Sequence, residues 1–359
     1  MAEGPMSVGG QAILEGVMMR SPHSLAIALR RQNGEIVVKE DAWHSIWERA
    51  KFLRKPLLRG AVVLFESMHN GVKALSFSAN EAAKFVEDAD GKPVIAEESK
   101  ASDLAIAGTI AVSVAFGFGL FALLPHFITW LMGVTTGSQA LLSGKDLGFQ
   151  VVDGLIKISF LIGYLALISR MKDIQRVFQY HGAEHKSIYC YEDGKPLTVE
   201  NARTYTTLHP RCGTSFLLIT FVVSILLFSL VMPLLPEISS TKWLNQLAYV
   251  AIKLPLMFPV AGIAYEATRL SARFPNNPIV KAFTWPGLML QHITTREPND
   301  EQLEIALAAL RMTLWRESMW QQQNQPVSAS QDSEPTVYRD FASFETQLGN
   351  ALPPSVIAA

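Results

Sequence analysis

Two histidines and a glutamate stand close together in the stretch QYHGAEHKSIYCYE, which runs from Gln179 to Glu192. His181 and His185 are four residues apart, so on a helix their rings lie on the same side, about one turn apart. Two imidazoles at this spacing can bind one zinc ion, and the order H-x-x-E-H is that of the inverzincin motif. The pattern therefore predicts a zinc site at His181 and His185, with Glu184 as general base.

A zinc ion needs more ligands than two histidines. His209 and Cys212 stand in the nearby stretch LHPRCG, and Glu266 lies near the end of an apolar segment that we expect on the same side of the membrane. Binding through both His209 and Cys212 would close the site and make the metal structural, whereas a water in place of Cys212 would leave it reactive. Histidines beyond a membrane span also bond lipid phosphates or backbone carbonyls, so the motif alone does not decide between these hypotheses.

Four apolar segments are long enough to cross a bilayer, which takes about 20 residues. They run from about Leu104 to Leu124 with an apolar continuation to Met132, from Val151 to Ile168, from Thr214 to Leu235 and from Leu247 to Leu270. Charged residues make up 18% of the chain, against about 25% in soluble proteins. The net charge of −1 gives no support for nucleic-acid binding. The bilayer is therefore the partner that the composition indicates.

The positive residues predict how the four spans are oriented. The loop 169–213 and the stretch after the fourth span carry most of them, namely Arg170, Lys172, Arg176, Lys186, Lys195, Arg203, Arg211, Arg273 and Lys281. The two opposite loops hold only Lys145 and Lys242. Both termini and the loop 169–213 are therefore predicted to be cytoplasmic.

Outside the spans, residues 1–55 predict a small β unit. SLAIALRR and EIVVKE alternate apolar residues around a turn at Asn33-Gly34, and Gly9-Gly10 suggests a tight turn into a further strand. Residues 56–103 predict an amphipathic helix followed by a charged linker.

The part of the chain after the spans divides into two predicted segments. Residues 271–318 contain an apolar stretch and a helix from about Glu301 to Arg316. The polar tail 319–359 is rich in Gln, Ser and Pro, which is typical of disorder. The fold class is thus a mainly α-helical integral membrane protein with about four spans, a small β unit and cytoplasmic helices.

Five motifs in the same order resemble the YqhQ-like family of uncharacterised bacterial membrane proteins, generally described as predicted metal-dependent enzymes. They are VGGQAILEGVMMRSP, SRMKDIQRVFQYHGAEHKSIYCYE, LHPRCGTSFL, GIAYEATRL and PGLMLQHITTREPNDEQLEIALAAL. The resemblance covers about Val8 to Leu310, and the long tail after Arg316 departs from it. It implies a multi-pass protein of the bacterial cell (inner) membrane and brings no substrate with it.

Three functions compete on these observations. The first is a zinc-dependent hydrolase at the cytoplasmic membrane face, acting on a lipid or a membrane-associated peptide. The second is a membrane scaffold whose loop is folded by a structural zinc. The third is a small transporter that uses Asp153 and Lys253, which are ionisable residues inside predicted spans. Four spans are few for enclosing a pathway, which leaves room for a homo-oligomer.

Overall fold

The computed structural model describes residues 6–87, 93–95, 103–274, 277–323 and 333–349. These residues form a mainly helical protein with a small antiparallel sheet near the N-terminus and four helices long and apolar enough to cross a membrane. The helices are α1 (Ile46–Arg49), α2 (Leu58–Ala83), α3 (Asp103–Phe118), α4 (Leu124–Thr136), α5 (Leu147–Ile168), α6 (Lys172–Glu192), α7 (Val199–Arg203), α8 (Gly213–Val231), α9 (Lys242–Arg273), α10 (Pro278–Thr294), α11 (Asp300–Gln323) and α12 (Phe341–Gly349).

The sheet has five antiparallel strands, four of them from the start of the chain. The strands are β1 (Gly9–Ile13), β2 (Gly16–Arg20), β3 (Ser24–Arg30), β4 (Ile36–Ala42) and β7 (Thr336–Tyr338), in the order β1-β2-β3-β4-β7. A separate hairpin pairs β5 (Phe85–Glu87) with β6 (Pro93–Ile95), inside the segment predicted as a charged linker. The predicted turn at Asn33-Gly34 joins β3 to β4, with Gly34 at a φ of +90°, where glycine lacks the steric penalty of other residues.

The fifth strand corrects the prediction of a disordered tail over residues 333–349. Residues Thr336 to Tyr338 pair with Val38 to Ile36, and α12 follows with Phe344 fully buried beside Tyr338. Composition indicated disorder because the tail is polar on average. A few apolar side chains that meet an open sheet edge are enough to order this part of it.

Both faces of the sheet are covered, so β3 is buried almost along its whole length. Ala26 and Ala28 point to one face, where they join the cluster of α6 and α11 residues. Leu25 and Ile27 point to the other face, where they pack near Ala74 of α2. The small alanines let α11 lie close to the strands. We call the five strands with α2, α6 and α11 the sheet unit.

The four membrane-length helical segments cover residues 111–136, 147–168, 213–234 and 242–271. They agree with the four predicted apolar segments. The first segment ends later than the predicted Leu124 and includes the apolar continuation, because the helix continues from α3 into α4. The two are joined by a π-helical stretch, Gly119–Leu123, directly before Pro125. A proline removes one helical hydrogen bond and crowds the preceding turn, and a π bulge relieves that crowding.

The sheet unit meets the membrane-length helices through close contacts at glycines. Gly60 of α2 lies against Gly262 and Tyr265 of α9, and Gly262 lies against the backbone of Leu57. Gly287 of α10 contacts Ser215 of α8 in the same way. The last third of α9 therefore faces α2 of the sheet unit, whereas the first turn of α8 faces α10.

Candidate metal centre

Helix α6 carries the H-x-x-E-H motif into the middle of the sheet unit. Arg176 near its start makes a two-pronged ion pair with Glu15, which lies in the turn between β1 and β2. Residues 182–188 are all buried, because the helix lies between β1 and α11. The motif is therefore held on a rigid helix that is fixed to the sheet.

Three potential metal ligands converge at this point. The rings of His181 and His185 lie side by side with centroids 4.4 Å apart, as the four-residue spacing predicts. The Nε2 atom of His181 is 3.1 Å from Sγ of Cys212. The ligand atoms of these three residues all lie within 4.8 Å of one another. The donors of a tetrahedral zinc site are roughly 3.3–3.6 Å apart, given its usual bond lengths, so small side-chain adjustments would fit the cluster to zinc.

Backbone carbonyls fix both histidine rings in the orientation that metal binding requires. His181 Nδ1 is 2.8 Å from the carbonyl oxygen of Thr294, and His185 Nδ1 is 2.5 Å from that of Thr207. A carbonyl only accepts hydrogen bonds, so each Nδ1 must carry the proton and each Nε2 keeps its lone pair. Burial also lowers the pKa of His185, which favours the neutral ring that can bind a metal.

Cys212 is placed by the start of α8, where it is the N-cap residue. Its sulfur accepts a hydrogen bond from the amide of Thr214 at 3.4 Å and lies 3.1 Å from the Thr214 hydroxyl. These contacts with Thr214 fix the sulfur at the start of α8, where it also lines the cavity beside the two histidines.

The loop that brings Cys212 to the histidines is clamped by one glutamine. Gln291 of α10 is fully buried. Its Oε1 accepts from the His209 amide at 2.7 Å, and its Nε2 donates to the His209 carbonyl at 2.7 Å and to Ser215 Oγ at 2.8 Å. This side chain therefore fixes the loop and the start of α8 together.

Glu184 lies in the same cavity as the histidines and is buried. Burial raises the pKa of its carboxyl group, while the nearby His181 and His209 and a backbone hydrogen bond from Gly10 oppose that rise. A carboxyl group with a raised pKa is suited to accept and return a proton near neutral pH.

Gly10 makes room for this carboxylate. Gly9 and Gly10 lie within β1, which corrects the prediction of a tight turn at that place. A Cβ atom on Gly10 would lie 2.7 Å from Cγ of Glu184, closer than real side chains approach. The glycine therefore lets the strand pass directly over the carboxylate and form one wall of the cavity.

The structure leaves His209 outside the group of three ligands, although it lines the same cavity. Its ring centroid is 5.5 Å from that of His185, and its Nδ1 accepts a hydrogen bond from the Arg211 amide at 3.3 Å. Its Nε2 therefore carries the proton, makes no hydrogen bond and lies 3.5 Å from Glu192. Burial lowers the pKa of His209 to about 4, so the ring is neutral at pH 7.

Glu266 was predicted as an alternative ligand, and the structure corrects this. Both of its carboxylate oxygens bond the guanidinium of Arg59, each at 2.5 Å, and the ligand group does not include it. Glu266 does lie near the end of a membrane-length helix, as predicted. Its partner Arg59, however, comes from α2, and the sequence spacing did not reveal that contact.

The cluster borders a cavity of about 400 Å³. Its walls come from β1, α6, the loop before α8 and the first residues of α8, and they include Gly9, Gly10, Glu184, His209 and Thr214. Three protein ligands beside a cavity leave room for a water or a substrate at the fourth position, which is the arrangement of a catalytic zinc site.

Several residues that build the site escaped the sequence analysis. Thr207 and Thr294 act through backbone carbonyls, which side-chain patterns cannot reveal. Gln291 could have been identified from the sequence, because an amide side chain inside an apolar helical stretch needs buried hydrogen-bond partners.

The model of the family described as "Protein of unknown function (DUF1385)" matches residues 55–316. The uncharacterized protein YqhQ of Bacillus subtilis (strain 168) is 35% identical over 332 residues, which is 90% of this chain and 96% of that protein. No solved structure matches the chain.

Adding one methyl group at Gly182 of α6 tests how tightly the site is packed. A Cβ atom at Gly182 would collide with the backbone oxygen of Arg296, two residues after the Thr294 carbonyl that holds His181. We expect Gly182→Ala to lower the free energy of unfolding by about 1–3 kcal/mol, measured by thermal unfolding in detergent. Gly163→Ala is the matched control, because its Cβ meets open space; equal losses in both variants would contradict the packing argument.

Proposed function

The chain belongs to the DUF1385 family of unknown function, and we propose that it is a zinc-dependent membrane hydrolase. The observation that carries this proposal is the convergence of His181, His185 and Cys212 on the wall of a cavity that also holds the buried carboxyl group of Glu184. A metal-activated water and a general base are the two components that hydrolysis needs.

The donor set favours zinc over harder metal ions. Imidazole and thiolate ligands suit zinc, whereas magnesium and calcium prefer oxygen. The carbonyl bonds to both Nδ1 atoms also match the outer-shell partners that orient metal-bound histidines. Cys190, the second cysteine, takes no part, because its sulfur lies 3.4 Å from the Pro196 carbonyl.

A zinc ion held by His181, His185 and Cys212 would supply a bound water of lowered pKa. Glu184 would accept the proton of that water during hydrolysis of an ester, amide or phosphoryl group, and would return it to the leaving group. His209 lines the same cavity, with its Nε2 atom 3.5 Å from a carboxylate oxygen of Glu192, so we assign it to the cavity wall and not to the metal.

We further propose that the site faces the cytoplasm at the inner membrane. Its walls include the first residues of α8, a helix long and apolar enough to cross a bilayer, which favours a lipid or a membrane-associated peptide as substrate. The excess of Lys and Arg in the loop 169–213 supports the cytoplasmic side.

Metal analysis tests the proposal first. We expect the purified protein to hold about one zinc ion per chain and the double variant His181→Ala/His185→Ala to lose most of it, because two of three ligands are removed. His292→Ala is the matched control, since that exposed histidine lies on α10 away from the ligand group. Equal zinc in the double variant and the wild type would reject the metal site.

A conservative change at Glu184 separates an enzyme from a scaffold with a structural zinc. If Glu184 is the general base, Glu184→Gln keeps the metal and lowers activity by roughly 10²–10⁴-fold, so it fails to replace the native gene in a growth complementation assay. A structural zinc predicts that the variant keeps both metal and function. Glu200→Gln, at an exposed position on α7, should behave like the wild type.

Cysteine labelling tests the proposed orientation. Both native cysteines are buried, so new cysteines at the exposed positions Glu200 and Ser240 report the two sides of the membrane. We expect a membrane-impermeant maleimide to label Ser240→Cys in intact spheroplasts and Glu200→Cys only after lysis. The reverse pattern would place the histidine cluster outside.

A further inference from the structure

A second cavity, separate from the metal centre, lies among the membrane-length helices. Its volume is about 260 Å³, and its walls come from α3, α5, α8 and α9 and the π-helical stretch. Most of the lining is apolar, with side chains such as Phe118, Phe121 and Phe221, but Lys157 and Lys253 also line it. Lysines beside an apolar cavity at membrane depth are costly, so they indicate a function.

The two lysines share one carboxylate. Asp153 Oδ2 accepts from Lys157 Nζ at 2.7 Å and from Lys253 Nζ at 3.0 Å, so the Asp153–Lys253 pair joins α5 to α9. The residues Asp153, Lys157 and Lys253 are 1%, 8% and 6% exposed, respectively. Lys253 also lies over the rings of Phe149 and Phe228, at 5.6 and 5.4 Å from their centroids.

The cluster lacks one negative charge. Two ammonium groups face a single carboxylate, and the only other acidic residue in the four spans is Glu266, which is bonded to Arg59. An uncompensated charge at membrane depth costs several kcal/mol. One added anion would bring the cluster to two positive and two negative charges.

We propose that this cavity binds the acid group of a fatty acid from the bilayer. A single carboxylate supplies the missing charge, and the apolar walls accept the start of an acyl chain. Leu217, Leu254 and Met257 line the cavity and are still 40–49% exposed, so it opens sideways, where lipid would surround the helices. This opening selects a ligand dissolved in the membrane over one dissolved in water.

The size of the cavity fits this ligand. A volume of about 260 Å³ is slightly below the range of small-molecule pockets, which is roughly 300–1,000 Å³. It admits the acid group and the first part of a chain, and the rest of the chain leaves through the lateral opening. None of the lining residues belongs to the ligand group of the metal centre, so this site does not depend on the proposed hydrolase.

Binding of oleate tests the proposal without any variant. The full-length protein is placed in nanodiscs of zwitterionic phosphatidylcholine, and radiolabelled oleate is titrated beside oleyl alcohol, which has a similar chain and no charge. We expect about one saturable oleate site per chain and an affinity for oleyl alcohol that is at least tenfold weaker. Equal affinities, or no saturable oleate binding, would overturn the proposal.

Two substitutions in the charge cluster and one control outside it then assign the site. Lys253→Gln should lower oleate affinity at least tenfold, whereas Lys242→Gln, at the exposed start of the same helix, should leave it unchanged. Asp153→Asn removes the competing carboxylate, so oleate should bind that variant at least as tightly as the wild type. Loss of oleate binding in a folded Asp153→Asn protein would show that the intact ion pair is structural and takes no anion.

Discussion

Two hydrogen bonds from histidine rings to backbone carbonyls hold the candidate site together. His181 is bonded to the Thr294 carbonyl and His185 to the Thr207 carbonyl, so α6 can present both Nε2 atoms only when two distant segments lie beside it. Gly182 permits this approach, because the backbone at Arg296 occupies the space of a side chain there. The same contact sets the junction between α10 and α11 against α6 and thereby links the membrane-length helices to the sheet unit.

The sequence predicted the features that depend on local pattern. Four runs of apolar residues are recognisable because each must match the bilayer by itself, and the spacing of His181 and His185 fixes their relative position on any helix. The further metal ligands come from other segments of the chain, and local spacing does not show which of them lie near the two histidines. His209, Cys212 and Glu266 were all candidate ligands, and only the structure shows that Arg59, a residue on another helix, bonds both carboxylate oxygens of Glu266.

Other features are not accessible from the chain alone, because they depend on what packs against them. Gly10 was interpreted through its own backbone freedom, yet its role comes from the Glu184 side chain above it. The tail was judged by average polarity, yet Tyr338 and Phe344 are buried against the sheet unit. In each case a contact between distant segments outweighs the local propensity, because tertiary packing determines the conformation there.

The fifth strand also has a consequence for biosynthesis. β4 and β7 are separated by roughly 300 residues, which a ribosome needs about 15–60 s to add at 5–20 residues per second. During that interval the outer edge of β4 has unpaired backbone groups, a state that invites contact with other nascent chains. The last strand can pair only after all four apolar helices have left the ribosome, so chains that terminate early keep the outer edge of β4 open.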